Sequence, residues 1–344
     1  MHHPRLPQPR GPLTSHLCDR LEGRPRRLHL CLEDDPLVGE DSQLALHICY
    51  GLHYDGFAGV DESWEWEPTL IELRGALERR FLRALTDEAR ARGAAPGVVF
   101  PTGEAAAEVR ALLAAEGGPS LSTFMATRGT VDQLREFVVH RSVYQRKEAD
   151  AHTWAIPRLR GRAKSALVTL QTDEYGQGAP GQSHAELFAA TMTALDLDPR
   201  PGVYIDQVPG VTLATDNLVS FLGLHRRWRG ALVGHLAAFE MTSVTPMGRY
   251  ADAVRRLTGD ERAAEFYDVH VVADVRHEVI AAEELIGGMV ASDPDAAADI
   301  PFGVAALLGC ERRFAGHLLD AWDGGRSSLR EPEGLGAFEL RIAG

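Results

Sequence analysis

The sequence predicts an all-α protein, and two observations carry that prediction. Apolar residues recur at three- and four-residue spacing, the period of one helix face, through 41–55, 68–92, 103–115, 130–148, 158–174, 184–195, 216–257, 261–290 and 303–321. Helix breakers separate these stretches: Pro68, Pro96-Gly97, Gly117-Gly118-Pro119, Pro157, the run Gly176-Gln-Gly178-Ala-Pro180-Gly181, the segment Pro199 to Gly210, and Asp293-Pro294. Extended patterning is confined to 337–342, and the chain holds no internal repeat and no P-loop.

In chain order, residues 1–38 are rich in Pro and Arg and lack apolar periodicity, so they read as a disordered arm, with Arg24, Arg26 and Arg27 as its basic spot. One helical domain then fills 39–325. Thr102 with Glu104 and Ser120 with Ser122 are expected helix starts. Residues 326–344 form a C-terminal tail.

Composition narrows the class. No apolar run approaches the roughly 20 residues that span a bilayer, and the first residues carry arginines without the apolar core of a secretory signal. The 36 Lys and Arg stand against 49 Asp and Glu, a net charge of −13, which argues against general nucleic-acid binding. Cys18, Cys31, Cys49 and Cys310 have no metal-ligand spacing and read as reduced thiols of a cytoplasmic protein. Oxygen and nitrogen ligands are plentiful, with 14 His beside the acids.

The strongest local signal is His270-Val-Val-Ala-Asp274-Val-Arg-His277. At about 100° per residue, Asp274 lies about 40° from His270 and His277 about 20° to the other side. All three share a stripe with apolar Phe266, Ala273 and Ile280, so they should face the core, where uncompensated polar groups are costly. A buried hydrogen-bonded cluster would satisfy that pattern as well as a metal would. Next comes Glu174, ending one helical pattern, and His184, opening another. On an unbroken helix they would lie about 80° apart; the Gly/Pro-rich spacer breaks the helix and could re-aim His184. Glu148 shares a stripe with Phe137, Val138 and Tyr144, and Glu240 follows Val233, Leu236 and Ala237, each a carboxylate where a hydrophobe is expected. Either glutamate alone reads more readily as a salt-bridge partner, with Arg276 or Arg158 available to Glu240. Together the set offers four carboxylates and three histidines, a stoichiometry that suits a pair of first-row metals.

At these residues the chain resembles the haem-oxygenase-like diiron oxidases and oxygenases, specifically the iron-containing redox enzymes. The resemblance spans about residues 41–322. It rests on Glu148, the Glu174…His184 pair with its Gly-rich spacer and following Leu187-Phe188, the His270-x3-Asp274-x2-His277 helix, and the words around Lys147-Glu148 and Pro157-Arg158. The implied fold is a haem-oxygenase-like seven-helix bundle. The implied iron ligands are Glu148, Glu174, His184, His270, Asp274 and His277, with Glu240 where some members have an extra carboxylate. The resemblance further implies two irons per chain, O2 as co-substrate, and a peroxo-diiron(III) species that oxygenates an amine nitrogen or fragments a carbon chain. A small amine- or amino-acid-like substrate, an electron donor and a homodimer are the corresponding partner expectations.

Other polar residues carry weaker expectations. His152 reads as a packing or supporting residue, His47 and His53 as lining the core or a substrate channel, and Trp64 and Trp66 as packing anchors that could cover a pocket. Asp173, Glu186 and Glu278 could orient ligands, and Tyr175 is either an electron donor or simply packed. Two further functions compete: a metal-free oxidase on the same scaffold, like pyrroloquinoline quinone synthase, and an iron-binding protein without turnover. Haem binding is disfavoured, because the first helix lacks a clear proximal-histidine context.

Overall fold

Capping chemistry sets the helix boundaries in the computed structural model, which describes residues 3–24, 33–97, 105–118 and 120–331. The helices are α1 (Pro12–Leu21), α2 (Glu40–Gly51), α3 (Pro68–Ala91), α4 (Ala105–Ala115), α5 (Leu121–Thr127), α6 (Val131–Gln145), α7 (Asp150–Thr153) and α8 (Gly161–Glu174). They continue with α9 (His184–Ala194), α10 (Gly210–Leu224), α11 (Arg229–Glu240), α12 (Val244–Thr258), α13 (Glu261–Val279), α14 (Gly287–Ser292), α15 (Pro294–Ala297) and α16 (Ile300–Asp323). A π-helical segment, Ile280–Ile286, joins α13 to α14. No strand occurs among the described residues, and the all-α expectation holds. Capping boxes open two site helices, Thr130 with Gln133 at α6 and Ser183 with Glu186 at α9. Ser120 caps α5 as expected, accepting from the Thr123 amide. The Thr102–Glu104 start lies outside the described residues.

Helix α10 is the central element. Thirteen or more consecutive buried positions would be hard to place anywhere but a core, and α10 is buried from Gly210 through Gly223. It packs against α2, α6, α7, α11 and α16. Helices α11 and α16 approach so closely that a Cβ on Gly303 would run into the Ala231 carbonyl. The apolar core falls into two clusters. One gathers α1–α3, α8, α10, α11 and α16; the other gathers α5, α6, α9, α12, α13 and the far end of α16. The candidate site lies where α6, α8, α9, α11 and α13 meet.

Three expectations need correction. The first concerns the arm, since residues 12–21 form α1 and bury Leu13, Leu17 and Leu21 against α2. Its start is capped from a distance: Asp41 accepts from the Leu13 and Thr14 amides, both at 2.8 Å. A helix of ten residues is marginal alone, and this one is held by a cap supplied from α2, which no pattern within residues 12–21 reveals. Arg24 pairs with Asp19 at 3.0 Å; Arg26 and Arg27 lie outside the described residues. The second correction concerns the domain end. Ser328 is buried, and its amide and hydroxyl donate to Glu136 at 2.8 and 2.6 Å, so the packed domain runs past residue 325. The extended-looking 337–342 lies outside the described residues. The third concerns 216–257, which is three helices rather than one. Arg158 takes up the Gly223 and Leu224 carbonyls where α10 ends, and Pro246 sits in the first turn of α12, where no amide is needed. Among the described residues no helix is long and apolar enough to cross a membrane.

Candidate metal centre

The predicted residues converge from five places in the chain. Helix α13 carries His270, Asp274 and His277 on one buried face, as the spacing requires. Its outward positions Val272, Val275 and Val279 are exposed, so the helix turns its polar stripe inward and its valines outward. Glu174 ends α8 and His184 begins α9. Between them the chain folds back through Gly176 at φ 62°, where a Cβ would strike the Gln182 backbone. Only glycine permits that return, and it brings His184 Nδ1 to 2.7 Å from Glu174 Oε2. Glu148 lies in the turn after α6 rather than on the helix, with its carboxylate 3.7 Å from His270 Nε2. Glu240, the last residue of α11, places Oε2 at 3.2 Å from His277 Nδ1.

Ligand-type atoms of Glu148, Glu174, His184 and His270 lie within 4.8 Å of one another, and so do those of Glu174, Glu240 and His277. Glu174 belongs to both groups. Asp274 sits beside the second, 3.4 Å from His277 Nδ1. The geometry therefore offers two adjacent positions with a shared carboxylate.

Whether a cation fits is decided by unpaired atoms. Glu174 Oε2, His184 Nδ1, His270 Nε2 and His277 Nδ1 are all buried without a hydrogen-bond partner. The Glu174–His184 and His277–Glu240 approaches are close but lack hydrogen-bond geometry. Leaving such groups unsatisfied costs about 1–3 kcal/mol each, and these four are the atoms that would face a metal. The opposite ring nitrogens are engaged. His270 Nδ1 meets the Phe266 carbonyl at 2.7 Å, and His277 Nε2 meets Asp173 Oδ2 at 3.0 Å. Each contact accepts the ring N–H and leaves the other nitrogen bare for a cation. Asp173 thus fixes the His277 ring, whereas Glu186 closes the α9 capping box and Glu278 faces Arg110 at 3.9 Å.

Electrostatics point the same way. Burial pushes the Glu174 and Glu240 carboxyls up to about 7. Burial, reinforced by His270, takes His184 down to about 4. At His270 and His277 burial also opposes protonation, but the surrounding carboxylates outweigh it and raise the rings to about 10 and 11. Protons fill the role of a missing positive charge there. The arginine alternative for Glu240 is not realised: Arg158 serves the end of α10, and Arg276 pairs with Asp173 at 3.4 Å.

A cavity of about 350 Å³ opens onto the cluster, with Glu148, Glu174, Glu240, His270 and Asp274 in its wall. Phe137, Tyr144, Phe188, Phe239, Tyr250 and Tyr267 supply much of the remaining surface. Sequence reasoning missed two groups here. Gln145, with its amide nitrogen turned to the carboxylate, donates to both Glu148 oxygens at 3.0 and 3.2 Å; its place three residues before Glu148 was the available signal. The Arg141–Glu311 ion pair joins elements far apart in the chain, and no local pattern announces it.

The remaining candidates fall outside the cluster. His152 is buried, lines the cavity and meets His235 at 3.1 Å. His47 is paired with buried Asp216 at 3.2 Å, and His53 with Glu65 at 3.0 Å. Neither histidine lines this cavity; His47 is buried in the core as the alternative expectation had it, and each ring meets a carboxylate through Nδ1, with Arg74 at Nε2 of His53. Trp66 is 67% exposed and Trp64 lies against Arg20, so neither covers the cavity. Tyr175 is half-exposed and donates to Asp150 at 2.8 Å.

One consequence concerns the support of His277. Asp173→Asn is expected to weaken metal binding by about 10–100-fold, because the amide no longer holds the His277 N–H with a charge. A competitive titration with a chelator of known affinity checks this, and unchanged affinity would remove Asp173 from the site.

No curated protein matches the chain. The family described as iron-containing redox enzyme matches residues 135–312, more than half of the sequence. That interval runs from α6 into α16 and contains every residue of the two ligand groups. With an all-α fold around a buried Glu/His cluster able to hold metal, the chain belongs to the iron-containing redox enzyme family.

Proposed function

We propose that the chain is a non-haem diiron oxygenase or oxidase that uses O2 to oxygenate the nitrogen of a small amine- or amino-acid-like metabolite, or to cleave it oxidatively. The observation that carries this reading is the carboxylate of Glu174, common to two ligand groups whose facing nitrogens are buried without a hydrogen-bond partner. Glu148, Glu174, His184 and His270 would hold one iron; Glu174, Glu240 and His277, with Asp274 alongside, would hold the other. Two adjacent irons supply O2 with electrons that no side chain of this set could provide.

The protein's own contribution is orientation and exclusion. The Phe266 carbonyl and Asp173 hold the N–H of His270 and His277 on the side away from the cluster. Gln145 holds the two Glu148 oxygens, and the aromatic wall keeps bulk water from the substrate. Electrons come from a protein or small-molecule reductant. A cytoplasmic setting accords with the free thiols of Cys18, Cys49 and Cys310. A homodimer is part of the proposal.

The metal-free oxidase reading leaves the four unpaired atoms without a purpose. An iron-binding role without turnover is separated by O2. Anaerobically iron-loaded protein is expected to develop a transient visible absorption on mixing with O2 and to consume O2, and an accepted amine is expected to change the decay rate. Identical anaerobic and aerobic spectra with iron bound would overturn the enzymatic reading.

A further inference from the structure

Arg141 and Glu311 meet in the wall of the cavity that opens onto the metal cluster. The guanidinium donates through both terminal nitrogens, at 2.9 and 2.6 Å, to the two Glu311 oxygens. Its planar group also lies against Phe314 at 4.4 Å and Phe137 at 5.7 Å. The two side chains keep 15% and 24% of their surface open, so the pair is accessible yet mostly dry. Arg141 lies on α6, seven positions before Glu148 in the turn that follows the helix, and the pair and the cluster line the same cavity at different places. Tyr144, Gln145 and the aromatic wall line the same cavity.

A bidentate pair of this kind is satisfied in itself, and separating it leaves a charge without a partner. A substrate end carrying a single charge would have to compete with one member and strand the other. An uncharged hydroxyl or amide can bond to the outer N–H groups of Arg141 or the free lone pairs of Glu311 without breaking the pair. We infer that the Arg141–Glu311 pair is a specificity determinant, selecting an elongated, mostly apolar amine whose end remote from the metal is polar but uncharged. This rests on the proposed function for the orientation of the amine. It narrows that reading, because it places a carboxylate-ended amino acid among the poor ligands when the acid lies at the far end.

Three probes of equal length test it: ω-amino-octanol, ω-amino-octanoate and octane-α,ω-diamine. Each is titrated calorimetrically into anaerobic iron(II)-loaded protein and into metal-free protein. The amino-alcohol is expected to bind at least tenfold more tightly than either charged-end probe. Arg141→Met combined with Glu311→Met should erase the difference. Glu311→Gln, which leaves the arginine unpaired, should make ω-amino-octanoate the tightest of the three and serves if the double variant fails to fold. Equal or tighter binding of a charged-end probe to the parent, an unchanged ranking in Glu311→Gln, or saturable binding of none of the three would overturn the assignment. Iron stoichiometry and O2 uptake, read in the same samples, report separately on the diiron reading: loss of those signals with the ranking intact would sink the oxygenase while leaving the selectivity of the cavity standing.

Discussion

Iron(II) added anaerobically is expected to bind at two ions per chain, and Glu174→Ala to reduce this to one or none. Glu174 is the residue common to both ligand groups, so its removal takes a ligand from each position at once. Substitution of His270 or His277 removes a ligand from one group only and should leave the other position partly filled. His225, which pairs with Glu78 at 3.0 Å away from the cluster, is the control whose loss should not alter stoichiometry. The measurement is an anaerobic titration with metal analysis of the recovered protein. Retention of two irons by Glu174→Ala would rule out a shared carboxylate, and retention by a His270/His277 double variant would rule out the whole ligand assignment.

Glu240→Gln should separate metal binding from folding. Burial pushes this carboxyl up to about 7, so at pH 8 the metal-free fold holds an ionised group that it disfavours. Its pKa is raised relative to the unfolded chain, so the folded state binds more protons between the two values and stability falls as pH rises through that window. The amide does not ionise. Metal-free Glu240→Gln should therefore melt at or above the parent temperature at pH 8, with the advantage shrinking toward pH 5. The same substitution should weaken the iron held with His277, because a neutral amide is a poorer ligand than a carboxylate and leaves that nitrogen short of charge balance. Paired metal-free melts and an iron titration measure both. A lower melting temperature with unchanged iron binding would show that Glu240 is a structural partner of His277.

The ligand set shows how far local pattern reaches. His270, Asp274 and His277 were legible because one helical period sets all three directions and Phe266 marks the stripe as inward. Glu240 was legible for the same reason, as a carboxylate at the end of a buried face. The Glu174–His184 approach was legible only as an option opened by the glycines; the actual return depends on Gly176 adopting φ 62° against the Gln182 backbone. Helix α1 does carry Leu13, Leu17 and Leu21 at helical spacing, a pattern overlooked between Pro- and Arg-rich flanks, whereas its cap comes from Asp41 in another helix.

By itself the sequence determined the all-α class, most helix positions and the inward face of α13, because each depends on the spacing of residues within a few turns. Tertiary structure alone decided that Glu174 stands between two ligand groups, that Gln145 holds Glu148, and that Arg141 meets Glu311 across 170 residues of chain. Helical period sets the direction in which a side chain leaves its own helix. Which groups then meet depends on how helices cross and how closely small residues such as Gly303 let them approach, and those distances are set by the packing of the whole core.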